Sequence, residues 1–124
     1  FGRKRFLPEI TSGVPQVRAA AERMAVNMPI QGTQADLLKM AMIRADEWMH
    51  SPSLSRAKRG ISRHGDTVRM VLTVHDELMF EVRETFMADA ARALTDILEH
   101  VHQLPVPIVV AAKVGRTWGS LAPL

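Results

Sequence analysis

Val68-Arg69-Met70-Val71-Leu72-Thr73-Val74-His75-Asp76-Glu77-Leu78-Met79-Phe80-Glu81-Val82 alternates before it turns. Val68, Met70, Leu72 and Val74 take every second place against Arg69, Val71, Thr73 and His75. After Asp76-Glu77 the run Leu78 to Val82 continues in the same style. Period-two patterning broken by two carboxylates predicts a β-hairpin with an acidic tip. For an arbitrary Asp-Glu pair an ordinary polar turn is the simpler reading. Here Leu72, Val74, Leu78 and Phe80 flank the pair and predict a stiff, buried ribbon, the rigid support that a metal-binding carboxylate needs.

Upstream of this hairpin, residues 51–66 shift to Ser, Arg, Lys and Gly without periodicity, which predicts an exposed, flexible basic loop. Before the loop, Leu38, Ala41, Met42, Ala45, Trp48 and Met49 recur at helical spacing. Leu37, Met40 and Ile43 widen that stripe, so the helix is expected to be buried on more than one side. A separate helix is expected from Val17 to about Asn27, because Pro29 pushes Met28 out of helical backbone space. The second helix then starts near Gln31 to Thr33 and stops before Pro52. Phe1 to Ile10 reads as an extended or hairpin segment closed by the turn-rich Thr11-Ser12-Gly13-Val14-Pro15. Downstream, Phe86, Ala90, Leu94, Ile97 and Val101 mark a long amphipathic helix with Asp89, Arg92, Asp96 and Glu99 on its wet side. A last strand is expected from Val106 to Ala112. The resulting class is α+β, an antiparallel hairpin or sheet packed with about three helices on one face.

The 124 residues are 47% apolar, enough for one compact domain with a real core. Sixteen Lys and Arg against thirteen Asp and Glu give a formal charge of +3, which permits a polyanionic partner without demanding one. The absence of cysteine excludes disulfides, thiolate metal sites and a cysteine nucleophile, and fits a reducing, intracellular setting. No apolar run approaches the roughly 20 residues that span a bilayer, so no membrane partner is expected. Phe1 in place of Met suggests a chain that begins inside a larger gene product.

Chemistry is expected first at the hairpin tip. Mg2+ in phosphoryl transfer takes one or two protein carboxylates and leaves its other positions to water and phosphates. Asp76 is the better ligand candidate, with Glu77 in an auxiliary role because adjacent residues on extended backbone point to opposite faces. His75 could donate to a phosphate or sugar, although a lone turn histidine is more often only solvated. Arg23, Asn27 and Gln31, spaced four and four, form a second candidate group. On their own they read as the polar flank of an Ala-rich helix. These are also the side-chain types that hydrogen-bond base edges, and minor-groove acceptors are nearly degenerate among base pairs. Donors placed there test pair geometry without reading identity. Asp36 is assigned a structural role as a first-turn acid. Arg3-Lys4-Arg5 and the Arg56 to Arg63 run are basic enough to meet phosphates, yet such runs are usually solvated surface.

Three segments together resemble the family A DNA polymerases of the bacterial DNA polymerase I type: Arg3 to Ile10, Ala21 to Asp36, and Val74 to Val82. The resemblance runs along nearly the whole chain and implies the carboxy-terminal part of a polymerase palm. It implies template-directed deoxynucleotidyl transfer, in which a primer 3′ hydroxyl attacks a deoxynucleoside triphosphate between two Mg2+ ions, with Mn2+ as a substitute. Under the resemblance Asp76 is the carboxyl-terminal catalytic aspartate and metal ligand, and Glu77 supports the metal site. Arg23, Asn27 and Gln31 contact the terminal primer-template pair, and His75 approaches the primer terminus. The partners implied are primer-template DNA, deoxynucleoside triphosphates and the missing N-terminal part of the same polymerase, in a cytoplasmic, nucleoid-associated setting. The family's other essential aspartate and its triphosphate-binding fingers helix have no match in these residues, so the isolated chain is expected to be inactive. An alternative of a different class is a non-catalytic nucleic-acid-binding module built on a palm.

Overall fold

A computed structural model describes residues 1–51 and 67–124. The predicted basic loop, apart from Ser51, lies outside the described residues. Among the described residues the α+β class holds, with two α-helices, α1 (Pro15–Met49) and α2 (Met87–Glu99), and four strands. The strands are β1 (Val68–Val74), β2 (Glu77–Val82), β3 (Lys113–Val114) and β4 (Ala122–Pro123). They pair as two antiparallel ladders, β1 with β2 and β3 with β4. The chain divides into two compact units, Phe1–Leu38 and Lys39–Leu124, and α1 contributes residues to each.

Contrary to the expected break, Pro29 lies inside one continuous 35-residue helix instead of separating two. Proline forfeits a single backbone bond, the one its N–H would have made to the carbonyl of Ala25. The surrounding Ala, Glu, Arg, Met and Leu residues favour helix strongly enough to carry the chain through. The Thr33 hydroxyl donates to the Pro29 carbonyl at 2.6 Å. Pro29→Ala is expected to restore the missing bond. The propensity difference, which already contains the entropy of the unfolded chain, predicts a stabilisation of about 3 kcal/mol. Urea unfolding followed by circular dichroism measures it, and an unchanged midpoint would contradict it.

In the first unit the segment before α1 lies on the helix. Gly2 has φ of 77°, a conformation that favours glycine. Arg3 then reaches Asp36, its Nε 3.1 Å from each carboxylate oxygen, and Nη2 forms an ion pair with the same group. The side chain of Arg3 passes Gly32, where an added Cβ would sit 3.6 Å from Arg3 Cδ. Pro8–Thr11 forms a short 3₁₀ turn with the Thr11 hydroxyl donating to the Pro8 carbonyl at 3.1 Å. Asp36 is therefore structural as expected, but through an ion pair and not through a helix dipole, because no helix starts near it.

The core of the second unit is Ala45, Met49, Val68, Ala90 and Leu94, with Trp48, Met70, Phe80, Val82, Phe86 and Leu98 packed around them. Trp48 and Phe86 stack with ring centroids 6.4 Å apart. Arg44 Nη1 donates to the His100 carbonyl at 2.9 Å just past the end of α2. α2 is amphipathic, with Ala90 and Leu94 buried and Asp89, Arg92 and Asp96 exposed, but Glu99, expected on the wet side, is half-buried where it accepts the Val110 N–H, and Phe86 and Val101 lie outside the helix. The C-terminal part of α1 is buried on one side only. Ala41, Ala45 and Met49 are buried, but Ile43 is 60% exposed.

The expected strand at Val106 to Ala112 is absent from both ladders. Pro105 and Pro107 have no N–H to give, and the Val110 N–H goes to the Glu99 carboxylate at 3.1 Å. Pairing begins one residue later, at Lys113–Val114 against Ala122–Pro123.

Candidate functional site

The β1–β2 hairpin is rooted in the core by two cross-strand pairs, Val68 with Val82 and Met70 with Phe80. The register then shifts, so that Leu72 faces Met79, Thr73 faces Leu78 and Val74 faces Glu77. One extra residue, Val71, has entered β1 as a bulge. A one-residue slip moves every later side chain to the other face. Leu72 and Val74 consequently leave the face that Val68 and Met70 line, and Leu72 is 41% exposed. The buried ribbon expected along the whole hairpin is thus confined to its base.

The tip is also one residue earlier than the sequence suggested. Val74 and Glu77 close the ladder, leaving His75-Asp76 as a two-residue turn. His75 has φ of 55° and is the sole non-glycine residue with positive φ among the described residues. Two-residue hairpin loops that match strand twist need positive φ at their first position, which usually selects Gly or Asn. The left-handed conformation costs a non-glycine residue about 1–2 kcal/mol, while glycine adds about 0.5–1 kcal/mol of chain entropy to be lost. His75→Gly is therefore expected to keep stability or raise it by up to about 1.5 kcal/mol. A fall in unfolding free energy would mean that the imidazole makes stabilising contacts.

His75, Asp76 and Glu77 are brought together and all three are exposed. Among the described residues Asp76 makes no hydrogen bond or ion pair that would compete for its carboxylate. No group of three or more His, Asp or Glu side chains able to hold a metal ion occurs among the described residues. Asp76 thus presents one uncommitted carboxylate, and the hairpin tip does not by itself form a ligand cage among the described residues.

In the other unit, the continuity of α1 through Pro29 puts Arg23, Asn27 and Gln31 on one helix with four-residue spacing. All three are exposed. Their neighbours Val26 and Ile30 are exposed as well, at 73% and 76%. The bonds of Arg3 to Asp36 raise the pKa of the Arg3 guanidinium further above its ordinary value, through the side-chain hydrogen bond first and the opposite charge second. Nothing in the sequence signals this pair, whose members are separated by 33 positions.

The family model for DNA polymerase family A matches residues 1–120. The chain belongs to DNA polymerase family A. Among family A relatives, DNA polymerase I of Pseudomonas aeruginosa is 40% identical over 118 residues, which cover 95% of this chain and 12% of that protein. The thermostable DNA polymerase I of Thermus aquaticus is 40% identical over 120 residues, covering 97% of this chain and 13% of the relative. Among solved structures, the POL domain of Pol1 from M. smegmatis, in complex with DNA primer-template and dNTP, superposes with a TM-score of 0.68 at 40% identity. It covers 86% of this chain and 17% of that one. The chain therefore spans about one-eighth of the length of these family A relatives. No helix among the described residues is long and apolar enough to cross a membrane.

Proposed function

We propose that this chain is the carboxy-terminal palm part of a DNA-directed DNA polymerase, and that it supplies one carboxylate and a set of DNA contacts to an active site completed by other residues. The observation that carries this reading is the exposed, uncommitted Asp76 in a tight turn, on a hairpin anchored in the core at Val68 and Val82, within a family A chain.

When bound, Mg2+ would supply charge stabilisation to the transferring phosphoryl group and lower the pKa of the attacking hydroxyl. Asp76 is the residue that would hold it, and Glu77, next to it at the start of β2, would support the local negative field. His75 faces solvent from the same turn and can donate to the primer terminus. Arg23, Asn27 and Gln31 present donors at successive turns of α1, the arrangement suited to minor-groove acceptors and sugars of a terminal base pair. In the whole polymerase the substrates would be primer-template DNA and deoxynucleoside triphosphates, with Mn2+ able to replace Mg2+.

A segment exchange tests the proposal. Residues 1–120 replace the matched segment of the Thermus aquaticus DNA polymerase I, and primer extension is followed with Mg2+ and deoxynucleotides. Template-directed extension is expected. A folded chimera that binds the duplex but does not extend the primer would favour a non-catalytic nucleic-acid-binding module instead.

A further inference from the structure

We propose that Arg5 binds a backbone phosphate of the DNA lying along α1, and that Arg3, two residues earlier, does not. The inference rests on the proposed meeting of Arg23, Asn27 and Gln31 with the duplex.

The two arginines are equivalent in sequence and unlike in structure. Arg3 is committed to Asp36 by three hydrogen bonds, and the side chain of Asp36 is only 14% exposed. Nε and Nη2 are engaged on a carboxylate that neutralises the charge of Arg3, although the side chain keeps its Nη1 donors and is 48% exposed. Arg5 instead places Nη2 3.3 Å from the sulfur of Met24. A thioether is a weak, uncharged acceptor, so this contact orients the guanidinium without neutralising it. Among the described residues Arg5 has no acidic partner, and its side chain is exposed.

Met24 fixes where that free charge sits. It follows Arg23 directly and precedes Asn27 by three positions, a spacing that brings Cβ atoms on a helix to about 5–6 Å. Seen down the axis, Met24 lies about 60° from Asn27, which puts Arg5 on the flank of the donor row and not over it. The minor groove is only about 6 Å wide, so side chains that touch base edges there have a phosphate backbone on either side. A cation held on the flank of the row meets that backbone. Resting on Met24 also pre-orders a flexible side chain, which lowers the entropy lost on binding.

The test is the salt dependence of affinity for a fluorescein-labelled primer-template duplex, measured by anisotropy on the 124-residue chain. Each neutralised phosphate contributes about 0.9 to the slope of log affinity against log salt. Arg5→Gln is expected to make the slope shallower by about one and to weaken binding several-fold at physiological salt, with an unchanged melting temperature. Arg5→Met, which keeps the apolar stem, is expected to do the same, and Arg5→Lys to retain the slope. Arg3→Gln is expected to lower the melting temperature and leave the slope alone. Wild-type slopes in both Arg5→Gln and Arg5→Met would overturn the assignment while leaving DNA binding intact. Failure of the wild-type chain to bind the duplex would overturn the assignment together with the reading on which it rests.

Discussion

Asp76→Asn, made in the chimeric polymerase, is expected to reduce primer extension by on the order of 10³-fold. Asparagine has the same shape and keeps a polar oxygen, so the turn and its neighbours should be undisturbed. What disappears is the negative charge that, under the proposed function, would draw a divalent cation to the hairpin tip. Metal stabilisation of a transferring phosphoryl group is worth several kcal/mol, and roughly 4 kcal/mol corresponds to about 10³ in rate. Asp76 has no hydrogen-bond partner among the described residues, so the substitution breaks no internal contact that could explain a loss by unfolding. Single-turnover extension with saturating duplex separates chemistry from binding. A loss below tenfold, with a normal melting temperature, would remove Asp76 from the metal site.

Leu94→Ala is expected to destabilise the protein by roughly 2–5 kcal/mol, the usual range for a large-to-small change in a packed core. Leu94 is 8% exposed in the same buried cluster as Ala45, Met49, Val68 and Ala90. Ala90, one turn away and fully buried, is too small to fill the space left behind. Such a change is a large part of a typical folding free energy of about 5–15 kcal/mol. Because Val68 anchors the hairpin in that cluster, extension by the chimera should fall with stability as temperature rises. Ile43→Ala, at a position 60% exposed, is the contrast and should shift the urea midpoint little. Equal effects at the two positions would mean that the cluster is not the core of this unit.

The hairpin was legible because β-branched and apolar residues alternate up to His75-Asp76-Glu77 and resume after it. Its internal bulge was not. Val71 is as apolar as its neighbours, so one inserted residue leaves no mark in the hydrophobic pattern while it reverses the faces of Leu72 and Val74. Pro29 misled for a different reason. Its local penalty is real, but it was weighed against the adjacent residue and not against the long run of helix formers on both sides. At Val106 to Ala112 the strand composition was present, but among the described residues only Ala112 at its end shares a backbone hydrogen bond with another segment, accepting the Leu124 N–H, and a strand exists only where another chain segment shares its hydrogen bonds.

Of the candidate site, the residue types and spacings were readable and the commitments of each side chain were not. The row of Arg23, Asn27 and Gln31 follows from helical periodicity once α1 is continuous. The difference between Arg3 and Arg5 depends on Asp36 and Met24, which lie far along the chain and meet them only after folding. The family resemblance identified the same residues by motif. Asp76 suits the proposed role because its turn is tight, the base of its hairpin is anchored and its carboxylate is uncommitted.

Primer extension by the purified chain alone, with Mg2+, deoxynucleotides and a short primer-template, tests whether these 124 residues carry only one part of a polymerase active site, beside an Asp76→Asn control that guards against contaminating polymerase. No extension by either protein is the expected result. Extension by the chain that disappears in the Asp76→Asn control would mean that a residue within it supplies the second carboxylate and that the proposed division of the active site is wrong.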